Sequence, residues 1–156
     1  MRKNLLFLAI FLLLSTVANA QSVESIMRNV QNADDVTRVR VGSLLMSMGR
    51  TAARMSGNPI PNISSVEVYD LSASSARFRQ GLINDMLQLR DGNGFETLMQ
   101  VRDGGDNVRI MMRSDRNNTI RELVFFVISD DSPAVIRISG RIRESEIADL
   151  ISQHTR

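Results

Sequence analysis

The stretch Ile120-Arg121-Glu122-Leu123-Val124-Phe125-Phe126-Val127-Ile128-Ser129 decides the fold. From Leu123 to Ile128 it is apolar without a break, so a strand over 120–129 has two faces that both avoid water. Such a strand belongs in the middle of a sheet. One of its faces meets helices. The other carries Val124, Phe126 and Ile128, with Leu98 and Met111 alongside, and needs cover from a helix of the same chain or from another molecule. These five residues are the candidate interaction face.

Turn signals lie on both sides of this run. Asp103-Gly104-Gly105-Asp106 predicts a two-residue turn, where glycine accepts the positive φ that such turns demand. That register sets Val101 opposite Val108 and Met99 opposite Ile110 on one face, with Gln100 opposite Arg109 and Glu96 opposite Arg113 on the other. A second turn at Asp130 to Pro133 sets Phe125 against Ile138, Val127 against Ile136 and Glu122 against Arg141. Both registers bring opposite charges together.

Towards the N-terminus the periodicity alternates between helical and extended. Ser22 caps a helix carrying Val23, Ile26, Met27 and Val30 at helical spacing. Residues 36–41 alternate as a half-buried strand, with Arg38 and Arg40 on one face and Val39 and Val41 on the other. Leu45, Met48, Ala52 and Met55 form the stripe of a second helix, stopped by Gly57 and Pro59. Residues 64–70 read as a strand. Ser72 or Ser74 opens a third helix whose Phe78, Leu82, Ile83, Met86 and Leu87 face inward. After the four strands, a short helix near 144–153 carries Ile147, Leu150 and Ile151.

The expected fold is therefore α+β, in the order α-β-α-β-α-β-β-β-β-α. It has a single, mostly antiparallel sheet of about six strands, a C-terminal four-stranded meander, and helices mainly on one face. The first two strands, joined by a helix, are expected to be parallel or separated in the sheet.

The first twenty residues read as a cleavable secretory signal. Arg2 and Lys3 form its positive end, Leu5 to Leu14 its apolar run, and Ala18-Asn19-Ala20 its cleavage site. Ten apolar residues cover roughly 15 Å as helix, about half of a hydrocarbon core of roughly 30 Å, so no stable span follows. The chain contains no cysteine, which excludes a lipid-anchored product and disulfide stapling. The expectation is a soluble periplasmic or extracellular protein, not a lipoprotein, with one globular domain over 21–156.

Removing Arg2 and Lys3 from the 19 basic residues leaves 17, against 17 acidic ones. The mature chain is formally neutral, and nothing points to nucleic acid. Trp is absent and Tyr69 is the only tyrosine, so aromatic stacking platforms are hard to build.

Catalytic chemistry is sparse. The one histidine, His154, sits two residues from the C-terminus, a poor place for a base that needs rigid support. One histidine without cysteine cannot make a zinc site. Asp103, Asp106, Asp130 and Asp131 read as turn residues rather than calcium ligands. Met46 and Met48 point about 200° apart on a helix and cannot converge on one copper ion. No catalytic residue, metal or cofactor is expected. Arg109, Arg113 and Arg137 are candidates for an anionic ligand or partner, although pairing with Glu96, Glu122 and neighbouring acids is the simpler account. Glu122 reads as a structural partner before an acid catalyst.

Phe95-Glu96-Thr97-Leu98-Met99-Gln100-Val101-Arg102-Asp103-Gly104-Gly105-Asp106-Asn107-Val108-Arg109-Ile110 resembles the central signature of an exported Bacteroidota family, domain of unknown function 4252. Ile120-Arg121-Glu122-Leu123-Val124 and Val135-Ile136-Arg137-Ile138-Ser139-Gly140 resemble its later segments. Asp35 to Val41, with the Met46 and Met48 helix, is similar to its first strand and helix. The resemblance covers about residues 34–152 and supplies no catalytic residue. It implies an envelope protein of Gram-negative Bacteroidota with a link to envelope-stress signalling. The expected function is a non-enzymatic domain that binds another protein or itself. The alternative is a periplasmic small-ligand or lipid carrier with a Met- and Leu-lined cleft between sheet and helices.

Overall fold

The computed structural model describes residues 21–55 and 62–143. Helix α1 spans Val23–Gln31. It starts where it does because the Ser22 hydroxyl accepts from the Ser25 amide at 3.1 Å while the Ser25 hydroxyl accepts from the Ser22 amide at 3.1 Å, a reciprocal cap. Its Val23, Ile26, Met27 and Val30 are all buried. Strand β1 (Thr37–Val41), helix α2 (Ser43–Met55) and strand β2 (Asn62–Asp70) follow. Helix α3 spans Ala76–Gln88 and is capped by Ser75, not by Ser72 or Ser74. The reason is local. The Ser74 hydroxyl donates to the Leu71 carbonyl at 2.6 Å, and the Ser72 amide is taken by the Asp70 carboxylate at 2.8 Å. Leu82 and Met86 of α3 are buried and Phe78 and Ile83 pack against them, but Leu87 is exposed. The helix expected near 144–153, like the signal segment, lies outside the described residues.

Strands β3 (Phe95–Asp103), β4 (Asp106–Ser114), β5 (Thr119–Ile128) and β6 (Ala134–Arg143) form the meander. The sheet has six strands in the order β1-β2-β6-β5-β4-β3, and every neighbouring pair is antiparallel. β1 and β2 are therefore adjacent and antiparallel, contrary to the expectation. A helical connection demands a parallel pair only if the chain must cross to the far end of the sheet; here it returns to the end it left.

The first hairpin turns at Gly104, whose φ is +56°, and pairs Val101 with Val108, Met99 with Ile110 and Gln100 with Arg109 as expected. A bulge between Thr97 and Met99 then adds a residue to β3, so Glu96 faces Met112 and Phe95 takes Arg113. The second hairpin pairs Phe125 with Ile136, Val127 with Ala134, Leu123 with Ile138 and Glu122 with Ser139. That is two residues from the expected register. A slip of two keeps every side chain on its own face, so apolar alternation could not exclude it. Tertiary contacts fix the difference: the Leu71 amide donates to the Pro133 carbonyl at 2.9 Å and ties the turn to β2. At Gly140 an added Cβ would lie 2.4 Å from the Asn62 carbonyl oxygen and 2.9 Å from Ile63 Cα, beside a bulge in β2, so only glycine fits there.

The two sheet faces have different cover. Met111, Val124, Phe126, Ile128 and Val135 pack with α1 and α3 residues in one cluster. Met112, Ile120, Leu123 and Ile142 form a second cluster with Ile63, Ile110, Phe125 and Ile138. This corrects the proposed interaction face. Met111, Val124, Phe126 and Ile128 are at most 3% exposed, beneath the chain's own helices. Only Leu98, the extra residue of the β3 bulge, is open, at 53%. The strand was expected to be apolar on both sides, and it is; the side left to other cover is the one bearing Leu123, Phe125 and Val127.

Candidate functional site

Two features remain as candidates. The first is a polar network on the helix-covered face, between the edge of α1 and strands β1, β2, β6, β5 and β4. Arg38 and Arg40 lie opposite Tyr69 and Glu67 in the β1–β2 pairing. Both pair with the buried Glu67 carboxylate, at 3.0 Å and 3.2 Å. The Tyr69 hydroxyl donates to the same carboxylate at 2.8 Å and accepts from the Gln31 amide at 3.0 Å. Burial pushes the Glu67 pKa up, but the Tyr69 hydrogen bond and the Arg38 and Arg40 charges outweigh it and hold it below its ordinary 4.5. Burial, with the hydrogen bond to Glu67, raises the Tyr69 phenol.

A carboxyl whose folded pKa is depressed stabilises the fold above its unfolded pKa, and that contribution is lost as pH falls through the folded value. Tyr69→Phe removes one donor to the carboxylate, and the expected loss is about 1–2 kcal/mol at pH 7. The loss narrows once Glu67 is protonated. Urea unfolding of both proteins at pH 7 and again in acid, below the Glu67 titration, checks this; an equal loss at both pH values would refute it.

Glu122 is the second hub, 3% exposed. Arg113 donates through Nη2 to Oε2, and Arg137 donates through Nε to Oε1 at 2.5 Å. Arg113 also lies 3.9 Å from Glu24 and rests over the Phe95 ring at 4.9 Å. The two arginines expected to share a face with Arg109 do so, but they meet on the Glu122 carboxylate, while Arg109 has other partners. Arg109 is buried and donates to the carbonyls of Met86 at 2.7 Å and Leu89 at 2.9 Å and to the Thr97 hydroxyl at 2.9 Å. It therefore closes the C-terminal end of α3, where a cation meets the negative end of the helix dipole. This removes Arg109 from the anion candidates. Neither Arg121 nor Arg141 serves Glu122; the bulge after Ile120 and the two-residue register difference move Arg141 away from it. Glu96, also expected as an arginine partner, is exposed beside Met112's pairing position.

The second feature is the other sheet face. Its rows run Val39, Val68, Ile136, Phe125, Ile110 and Met99 across all six strands, with no charged residue in that row. Val39 is 55% exposed, Met99 49% and Val101 37%. On α2, Leu45 and Met48 were expected to face the core, yet they are 62% and 59% exposed. These residues were missed as interaction candidates because an alternating pattern shows which residues share a face, but not which face a helix will cover.

Among the described residues, no group of three or more His, Asp or Glu side chains converges to hold a metal. No helix among them is long and apolar enough to cross a membrane. His154 lies outside them. In comparison with known families, the model described as Domain of unknown function (DUF4252) matches residues 29–150. No curated protein and no solved structure matches the chain.

Proposed function

The chain belongs to this family, domain of unknown function 4252, and from that premise we propose that it is an exported, soluble envelope domain that works by binding another protein or a second copy of itself, without catalysis. The observation that carries this is the charge-free row from Val39 to Met99, still half open to water at both ends. Contiguous apolar surface of this kind marks contact sites, because leaving it in water costs about 25 cal/mol per Å². The Leu45 and Met48 stripe on α2 adds to the exposed apolar area. The shortage of catalytic groups in the sequence favours binding over chemistry. A role in envelope-stress signalling would fit such a binding domain.

Light scattering of the mature protein tests the proposal. The expected result is a mass above the monomer that rises with concentration, or capture of a defined partner by cross-linking in the envelope. Phe125→Asp places a charge in the middle of the row. It should abolish the contact while leaving the circular dichroism spectrum intact, since Phe125 is only half-buried. A folded variant with unchanged association and cross-linking would sink the idea. The Met- and Leu-lined cleft of the carrier alternative finds no room directly over β4 and β5, where Met111, Val124 and Phe126 are packed at 0% exposure.

A further inference from the structure

The sheet ends in β1 and β3, each with a neighbouring strand on one side only. A free strand edge offers N–H and C=O groups to any strand that can lie beside it, and charge on the edge is a common guard. β1 has that guard. A symmetric antiparallel pairing of two copies about Val39 would set Arg38 of each against Arg40 of the other, like charge against like. β3 is guarded only at its start. There the Asp91 carboxylate accepts from the Thr97 amide at 2.9 Å and from the Thr97 hydroxyl at 2.7 Å. From Leu98 to Val101 no residue is charged and all four are exposed, Leu98 at 53%, Met99 at 49% and Val101 at 37%.

The two-residue turn fixes which backbone groups of β3 point outward. Asp103 and Asp106 flank it, and such flanking residues exchange hydrogen bonds, as do alternate pairs beyond them. Val101 with Val108 and Met99 with Ile110 therefore belong to the ladder with β4. Gln100 and Arg102 direct their N–H and C=O groups the other way, off the end of the sheet. The bulge at Leu98 interrupts this alternation, which leaves Met99 to Asp103 as the regular part of the edge.

We propose that β3 pairs antiparallel with β3 of a second copy of the chain, symmetrically about Val101. Gln100 of each copy then exchanges backbone hydrogen bonds with Arg102 of the other. Val101 meets its own counterpart, and Met99 lies opposite Asp103. No like charges are opposed, in contrast to the same operation on β1. The contact joins two six-stranded sheets edge to edge. The arginines of β1 stand at both outer ends and stop further growth, so the assembly closes as a dimer. It uses different atoms from the open sheet face, and it holds whether or not that face binds another protein.

Light scattering of the mature protein over a concentration series, with amide hydrogen exchange on the same samples, tests this. The expected result is a dimer in which the Gln100 and Arg102 amides are protected, and a monomer on dilution in which they are not. Gln100→Pro removes an outward N–H without breaking the β3–β4 ladder. It should weaken dimerisation about tenfold or more and leave the circular dichroism spectrum intact. Val101→Lys opposes two like charges at the centre of the pairing and should do the same, which decides the matter if Gln100→Pro does not fold. Phe125→Asp should stay dimeric, so a failure at the edge and a failure at the open face are told apart. A strict monomer at millimolar concentration would overturn the proposal. So would a dimer whose Gln100 and Arg102 amides exchange as fast as in the monomer, one undiminished in a folded Gln100→Pro or Val101→Lys, or one abolished by Phe125→Asp.

Discussion

Truncation of Phe126 to alanine will lower the unfolding free energy by about 4 kcal/mol, within the 3–5 kcal/mol typical of a phenylalanine deleted from a packed core. The residue is 0% exposed and sits on β5 opposite Arg109 on one side and Val135 on the other. Its neighbours in the cluster come from two helices and several strands, including Ile26, Leu82, Met111 and Tyr69. A gap at that point cannot collapse without moving helices against the sheet, so the cavity cost adds to the lost transfer energy. Phe125, one residue earlier, gives the contrast. It is half-buried on the other face, and Phe125→Ala should cost clearly less. Urea melts of the two alanine variants measure the difference directly. Similar losses at 125 and 126 would mean that both faces are equally packed, and the proposed binding face would be ordinary core.

That contrast marks where the sequence stopped being informative. Leu123 to Ile128 could be recognised as a strand with two dry faces, and the meander, the capping of α1 by Ser22 and the turn at Gly104 were legible from local chemistry. Which dry face belongs to the helices was not. Val124 and Phe126 alternate with Leu123, Phe125 and Val127, and all five are apolar, so side-chain type does not distinguish the two rows. The deciding facts are long-range: α1 and α3 both pack over the row containing Met111, Val124 and Phe126. Bulges hid the rest. One extra residue at Leu98 turned Glu96 away from Arg113, and such insertions leave no mark in an alternating sequence. For the candidate site, Arg38 and Arg40 could be placed on one strand face, but their partner Glu67 becomes visible only with the antiparallel β1–β2 pairing. Arg109 looked like its neighbours Arg113 and Arg137 in sequence. Only the end of α3 arriving above it, where the Met86 and Leu89 carbonyls accept its guanidinium, gives it a structural task.

Glu122→Ala is expected to cost about 2–3 kcal/mol. Removing one partner of a fully buried ion pair costs about 3–5 kcal/mol, because the remaining charge is stranded. Here the stranded groups are two guanidiniums, Arg113 and Arg137, whose side chains keep 40% and 33% of their exposure. Water screens part of their repulsion, which places the cost below the fully buried range. Phe95 still offers its ring face to Arg113, and Glu24 remains 3.9 Å away, so Arg113 retains some compensation. Arg137 keeps no direct ion pair among the described residues once Glu122 is gone, and only Glu67, opposite it in the β2–β6 pairing, offers a nearby negative charge. In the parent, added salt weakens a largely buried attraction only slightly. In Glu122→Ala it screens two like charges facing each other at the solvent edge, so the variant should gain stability between low and high ionic strength and the gap should close. Urea unfolding of both proteins at two salt concentrations gives the answer. If the variant loses less than about 1 kcal/mol and shows no salt response, the arginines have turned out into water, and Glu122 holds them in place without being held by them.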